Sequence, residues 1–323
     1  MHRRTPLRAA PARTLPLATA LAATALLLTA LAACGTEEAG DAARGAASAS
    51  TRTPLDDPGK DGVRVTSLTL PNASPSPTPS RRYSVTADKL DLGGDSGISA
   101  AYEITNSGTE NFTYTVGVTF TSGDGGAMGG GTATVRDVAP GKTVRGSVRA
   151  GALPPTTPRI TGAKVSEVAK VPAAEAQAAP GTCPSSGVRV STDKGDAAMG
   201  LRVVGLHLDN CGTHDYQVEG YPVLQLLDNS REPIESVAIL RGSRQITTGI
   251  TGDGPPRPVT LKPGESATAS LVWRNTTDLG TPVTAPYARV RAKTGAAPVM
   301  LPEHIDLGTT GKLGVTPWAK PEH

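Results

Sequence analysis

The chain has 323 residues, 32 Lys+Arg against 29 Asp+Glu, a formal charge of +3 and only 3% aromatic residues. Setting aside Arg3, Arg4, Arg8 and Arg13 at the start leaves 28 against 29, or −1, and no basic stripe interleaved with rings follows, so nucleic-acid binding is not expected. So few rings also argue against a dedicated carbohydrate module, for which Tyr216, Tyr221 and Tyr287 would be the stacking candidates.

Residues 1–33 combine a basic start, an apolar run over 15–31 and the small exit Ala32-Ala33, the three parts of a secretory signal. Pro16 and the threonines at 19, 24 and 29 make the run a poor membrane span, which needs about 20 apolar residues. Leu31-Ala32-Ala33-Cys34 resembles the lipobox at which bacterial lipoprotein precursors are acylated and cut. That resemblance implies that Cys34 carries a diacylglyceryl group and that the protein is held at the outer face of a cell membrane.

Residues 34–80 are rich in Gly, Ala, Ser, Thr, Asp and Pro and read as a disordered tether, since such a composition cannot bury a core. The Ser/Thr-Pro run at 74–79 offers acceptors for sugars but reads first as a spacer, and residues 63–70 alternate weakly enough to be either tether or an edge strand. From Tyr83 the pattern has period two. Ile98, Ala100, Tyr102 and Ile104 share one face, and Phe112, Tyr114, Val116, Val118 and Phe120 another. Asn106-Ser107-Gly108 between them predicts a hairpin, as does Pro140-Gly141 between Ala133, Val135 and Val144, Val148. The glycine cluster at 123–131 reads as a hairpin tip.

The same grammar recurs. Residues 104–112 line up with 208–216, and Val138-Ala139-Pro140-Gly141-Lys142 with Leu261-Lys262-Pro263-Gly264-Glu265. The expected fold is therefore all-β: two tandem immunoglobulin-like β-sandwiches, 81–172 and 183–323, joined by an Ala/Pro-rich linker at 173–182. Asn106 to Pro140 spans 34 positions (140 − 106) and Asn210 to Pro263 spans 53 (263 − 210), so the second copy carries about 19 more residues, in the stretch 241–258. Loops on a rigid sandwich are where binding concentrates, and Arg241, Arg244, Gln245 and Arg257 are the expected contact residues for a protein partner in the envelope.

Cys183 and Cys211 remain once Cys34 is set aside, and in an oxidising compartment they read as a disulfide, whose 28-position loop is worth about 3.5 kcal/mol in the chain-entropy picture. His207, Cys211, His214 and Asp215 crowd together as the alternative, a metal site, but lack a second thiolate at metal-finger spacing. In the second copy Ala267, Ala269, Leu271 and Trp273 share an apolar face, and 313–318 reads as a closing strand. Cys183, the strand 201–210, Gly220-Tyr221-Pro222, the Pro263-Gly264 turn and the strand 267–273 resemble domain-of-unknown-function family 4232, found in actinobacterial lipoproteins and secreted proteins. Many members place a cysteine shortly before Gly-Tyr-Pro, whereas here it stands earlier, at Cys211. The resemblance implies a location and an architecture but no reaction.

No catalytic constellation survives inspection. Gly141-Lys142-Thr143 mimics the end of a phosphate loop, but Arg136 stands where that motif needs glycine, and no Gly-x-Ser-x-Gly elbow is present. The expectation is a binding or scaffold lipoprotein that is not an enzyme and uses no cofactor or metal. A small-ligand or metal sensor built on His207, His214 or Tyr221 is the alternative, with an enzyme third.

Overall fold

The computed structural model describes residues 50–71, 95–154 and 156–321, and over these the chain is all-β apart from one 3-10 turn at Ala173–Glu175. The expected signal, Cys34, the 74–79 run and Tyr83 lie outside the described residues.

Seven strands come first: β1 (Ser50–Pro54), β2 (Val63–Pro71), β3 (Ser99–Thr105), β4 (Phe112–Ser122), β5 (Ala127–Val138), β6 (Thr143–Arg149) and β7 (Ile160–Pro172). They form two sheets, ordered β1-β2-β3-β6 and β5-β4-β7. Alternate residues of β4 meet Val63, Val65, Leu68, Ala100, Tyr102 and Ile104 in one buried cluster, which is the period-two pattern realised as a two-layer core. The strand arrangement is immunoglobulin-like.

Two expectations are corrected here. The stretch 34–80 is not all tether, because β1 and β2 belong to the first sandwich and Val63, Val65 and Leu68 are among its most buried residues. A bulge between Val65 and Ser67 shifts the alternation by one residue, which is why the strand looks weakly patterned in sequence. Nor are the two turns hairpins. β3 and β4 lie in different sheets, as do β5 and β6, so both turns carry the chain across the sandwich. The 123–131 glycines divide, with a turn at its start and the rest of the cluster inside β5, paired with β4.

Asn106 explains the crossing. Fully buried at 0% exposure, it donates from Nδ2 to the carbonyls of Glu110 (2.9 Å) and Val138 (2.8 Å), and its Oδ1 accepts from the Gly108 N–H (2.9 Å). Its backbone joins the second turn, donating to Lys142 O at 3.0 Å and accepting from Gly141 N at 2.7 Å. Gly141 meets that geometry with φ 68°, a left-handed conformation that side chains disfavour.

The remaining strands are β8 (Val188–Thr192), β9 (Asp196–Ala198), β10 (Leu201–Asn210), β11 (Tyr216–Val218), β12 (Val223–Leu227), β13 (Ala238–Arg241), β14 (Val259–Leu261), β15 (Ser266–Arg274), β16 (Val283–Ala285), β17 (Tyr287–Arg291), β18 (Val299–Leu301), β19 (Ile305–Gly308) and β20 (Lys312–Val315). The larger sheet runs β13-β20-β15-β10-β8 with β9 also on β10, and β12-β17-β18 form a second; the pairs β11-β14 and β16-β19 complete the set. A separate buried cluster fills this part, anchored by Trp273 and Trp318, with Trp273 Nε1 donating to Asp306 Oδ1 at 2.9 Å and Trp318 Nε1 to Ala292 O at 2.8 Å.

Asn210, 2% exposed, repeats the Asn106 network bond for bond: Nδ2 to His214 O (2.8 Å) and Leu261 O (2.7 Å), Oδ1 from Gly212 N (3.1 Å), N to Glu265 O (2.9 Å) and O from Gly264 N (2.7 Å). Strand register repeats too, since Ile104 opposite Val144 and Thr105 opposite Thr143 recur as Leu208 opposite Ala267 and Asp209 opposite Ser266.

A third, small cluster joins Ala169 and Val171 of β7 to Leu227, Tyr287 and Met300. Around it Tyr287 Oη accepts from Lys170 N (3.1 Å), His304 meets Glu167 (2.9 Å), Arg231 meets Glu110 (3.5 Å) and Arg289 meets Glu175 (2.7 Å). The stretch read as a linker is itself docked, with Ala176 forming a bridge to Met300.

Candidate functional site

The predicted contact residues are set by the connection between β13 and β14. Arg241 is the last residue of β13, and its guanidinium lies 5.8 Å from the Tyr221 ring centroid. The chain then turns inward. Gly242 N donates to Val315 O (2.7 Å), and Ser243, 0% exposed, donates to Asp253 Oδ2 from both N (3.0 Å) and Oγ (2.8 Å). A Cβ on Gly242 would sit 2.8 Å from Asp253 Oδ1, so the closure requires glycine as well as the acid. Ile246 N and Thr247 N both donate to Ser243 O (2.7 and 2.9 Å), which completes a compact turn at the base.

Above that base Arg244, Gln245 and Arg257 are exposed and make no side-chain hydrogen bond or ion pair among the described residues. Pro255, Pro256 and Pro258 surround Arg257 and restrict its backbone. The stretch 241–258 therefore presents three guanidiniums, while its one carboxylate, Asp253, is engaged in holding the loop shut. Asp253→Ala is expected to remove about 1–3 kcal/mol of local stability. Amide exchange should accelerate over 243–253 while β15 and β10 keep their protection; unchanged exchange in the loop would mean that Asp253 is not its clasp.

Two residues before Arg241, Ile239 lines a groove of about 410 Å³ between the margins of the two sheets, whose other walls are apolar at Val223, Leu224, Ile234 and Val237 and charged at Glu235, Arg289 and Arg291. Sequence reading missed it. Its signal was the apolar run at 237–240, but nothing local says that this run is a parallel strand on β20.

The other candidates fall elsewhere. Cys183 and Cys211 are bonded, Cα atoms 5.6 Å apart, so no thiolate is free beside His214, whose Nδ1 lies 3.0 Å from Thr213 Oγ1. No group of three or more His, Cys, Asp and Glu suited to a metal ion occurs among the described residues. His207 approaches Asp193 (3.7 Å) and does not meet His214 or Tyr221. Lys142 of the phosphate-loop mimic sits on the turn between two strands.

Among the described residues one carboxyl is raised above its ordinary pKa. Glu303 accepts from Thr192 Oγ1, yet burial, reinforced by the charge of Asp193, holds its pKa above the usual glutamate value of 4.5. Folded protein thus binds this proton more tightly than unfolded chain, so stability is lost as pH rises from about 4.5 through the raised value. Glu303→Gln, which keeps the acceptor, is expected to be more stable than the parent at pH 7 and equal to it near pH 4. Melting curves at the two pH values decide this, and a loss at pH 7 would contradict it.

Residues 183–319 match the family model described as Domain of unknown function (DUF4232). No curated protein matches the chain. Among solved structures it is similar to a β-glucuronidase of Bacteroides uniformis, at 10% identity and a TM-score of 0.24 over 84% of this chain and 32% of that one. It is similar also to red sea bream transglutaminase, at 12% identity and a TM-score of 0.16 over 72% of this chain and 30% of that one. The chain thus spans about a third of the length of these solved chains.

Proposed function

We propose that this is a lipid-anchored, non-catalytic binding protein on the outer face of the cell membrane, engaging an acidic protein partner through residues 241–258. The observation that carries the reading is that Arg244 and Arg257 have no ion-pair partner among the described residues, on a loop whose only acid is turned inward beside Arg241. Like charges held outward on a rigid base attract an opposite surface and speed encounter in a salt-dependent way. The non-catalytic half is supported by the histidines: His207 lies beside Asp193 (3.7 Å) and His304 beside Glu167 (2.9 Å), and no Ser, Thr or Cys side chain hydrogen-bonds to either ring among the described residues.

A photo-cross-linking residue at position 245, introduced into the full chain in its own envelope, tests the reading. One dominant adduct, lost in Arg244→Glu and weakened by salt, is expected, and scattered adducts indifferent to charge would overturn it. The anchor is tested separately by Cys34→Ala, expected to move the protein from the membrane pellet to the soluble fraction; continued sedimentation with membranes would remove the lipid from the proposal.

One observation favours a second reading, a small-ligand site. The Tyr216 hydroxyl is buried without a hydrogen-bond partner among the described residues, and the residue lines a cavity of about 420 Å³ with Ala176, Val188, Ala296, Pro298 and Val299. Native mass spectrometry of protein taken from its own envelope should then find a bound molecule that Ala297→Leu, a change in the cavity wall, displaces.

A further inference from the structure

We infer that the outer edge of β13 receives an extended, acidic segment of the partner as an added strand, whose aliphatic side chains enter the groove beside Val223 and Ile239. This rests on the reading of 241–258 as the contact surface and names the form of what binds there.

The argument begins with the backbone. β13 pairs with β20 in parallel, with Ala238 N donating to Gly311 O (2.8 Å) and Gly242 N to Val315 O (2.7 Å). In a parallel ladder alternate residues of a strand supply the bonds to one neighbour. Residues 238, 240 and 242 therefore face β20, and Ile239 and Arg241 turn their N–H and C=O groups away from it. β13 is also the last strand of its sheet. Three other margins are covered in contrast: that of β18 by the bridge from Ala176 to Met300, that of β12 by Ile234 N on Leu226 O and the Pro233 bridge to Leu227, and that of β7 in part by Tyr287 Oη on Lys170 N.

The side chains supply the specificity. Val237, Ile239 and Arg241 share one face, toward the groove, where Ile239 is 41% and Val223 42% exposed, two large aliphatic residues on opposite lips. An added strand places alternate side chains on that face and runs alongside Arg241, with Arg244 following on the same connection. Aliphatic residues at every second position with Asp or Glu between or beyond them satisfy both. Charge disfavours a second copy of this chain as the occupant, because its edge offers Arg241 and Arg244 where the arginines of the first call for acids.

The probe is a labelled, end-capped peptide, Asp-Ile-Glu-Val-Asp-Ile-Glu, titrated onto the full chain by fluorescence anisotropy, with two relatives N-methylated at alternate amides in the two possible phases. An added strand uses only one set of amides, so one methylated peptide should bind about tenfold or more weakly and the other like the parent. Ile239→Pro, which removes an outward N–H without touching the β20 ladder, should give a similar tenfold loss, and Ile239→Val should not. Equal behaviour of the two methylated peptides, or no binding of the parent, overturns the added strand. If the methylated pair are equal but Arg241→Glu still abolishes binding of the parent, the contact surface stands and only the strand falls; if charge reversal is also without effect, both fall.

Discussion

Replacing Asn106 or Asn210 by alanine is expected to cost about 3–5 kcal/mol, the largest loss open to any single side chain of the two turns. Each amide, itself buried, holds three backbone groups, two carbonyls and one N–H, drawn from both turns of its sandwich, and the carbonyl of Val138 or Leu261 is buried with it. An unsatisfied buried group costs about 1–3 kcal/mol, and three cannot all relax toward solvent, because Val138 O and Leu261 O end strands that close the core. Aspartate is the sharper variant. It has the shape of asparagine but no donors at neutral pH, and it would set a carboxylate against two carbonyl oxygens. Urea unfolding should therefore rank asparagine above alanine and alanine above aspartate, and losses below about 1 kcal/mol would show the network to be incidental. The two networks belong to separate buried clusters, so the double variant should lose the sum to within about 0.5 kcal/mol.

The repeated Asn-x-Gly and Pro-Gly turns were legible because their chemistry is local: a residue whose amide can close its own turn, and a glycine that accepts positive φ. Which strands those turns connect was not. A hairpin and a crossing between sheets ask for the same turn residues, and the decision lies in whether Asn106 Nδ2 finds Val138 O, 32 positions away. The early boundary failed for a related reason. Residues 50–71 have the composition of a spacer, and the bulge at Val65 breaks the one pattern that would have marked β2 as core.

The loop at 241–258, proposed as the contact surface, divides in the same manner. Its existence followed from a length difference, and Arg244, Gln245 and Arg257 are indeed exposed there. The sequence did not reveal that Arg241 ends a strand, that Asp253 is the clasp, or that an open edge and a groove stand beside it. Those depend on β13 meeting β20, a pairing of Ala238 with Lys312 that no local pattern encodes.

Removing the Cys183–Cys211 bond, by reduction or by replacing both cysteines with serine, is expected to cost about 3.5 kcal/mol through the freedom returned to the unfolded chain. The native contacts say where the loss should appear. Cys211 N and Gly212 N both donate to Gly187 O (3.1 and 2.8 Å), and Val188 pairs with Asn210, so the bond ties the start of edge strand β8 to the turn that Asn210 organises. Amides of β8 should lose protection first on reduction, while β15, inside the same sheet, retains its own. Because Gly212 N, next to Cys211, donates both to Gly187 O and to Asn210 Oδ1, removal of the bond and of the Asn210 network should not be additive: with the bond absent, Asn210→Ala should cost at least about 0.5 kcal/mol less than in the oxidised protein. A loss that adds fully, with β8 no more labile than β15, would mean that the disulfide acts on the unfolded chain alone and that the turn holds its shape without it.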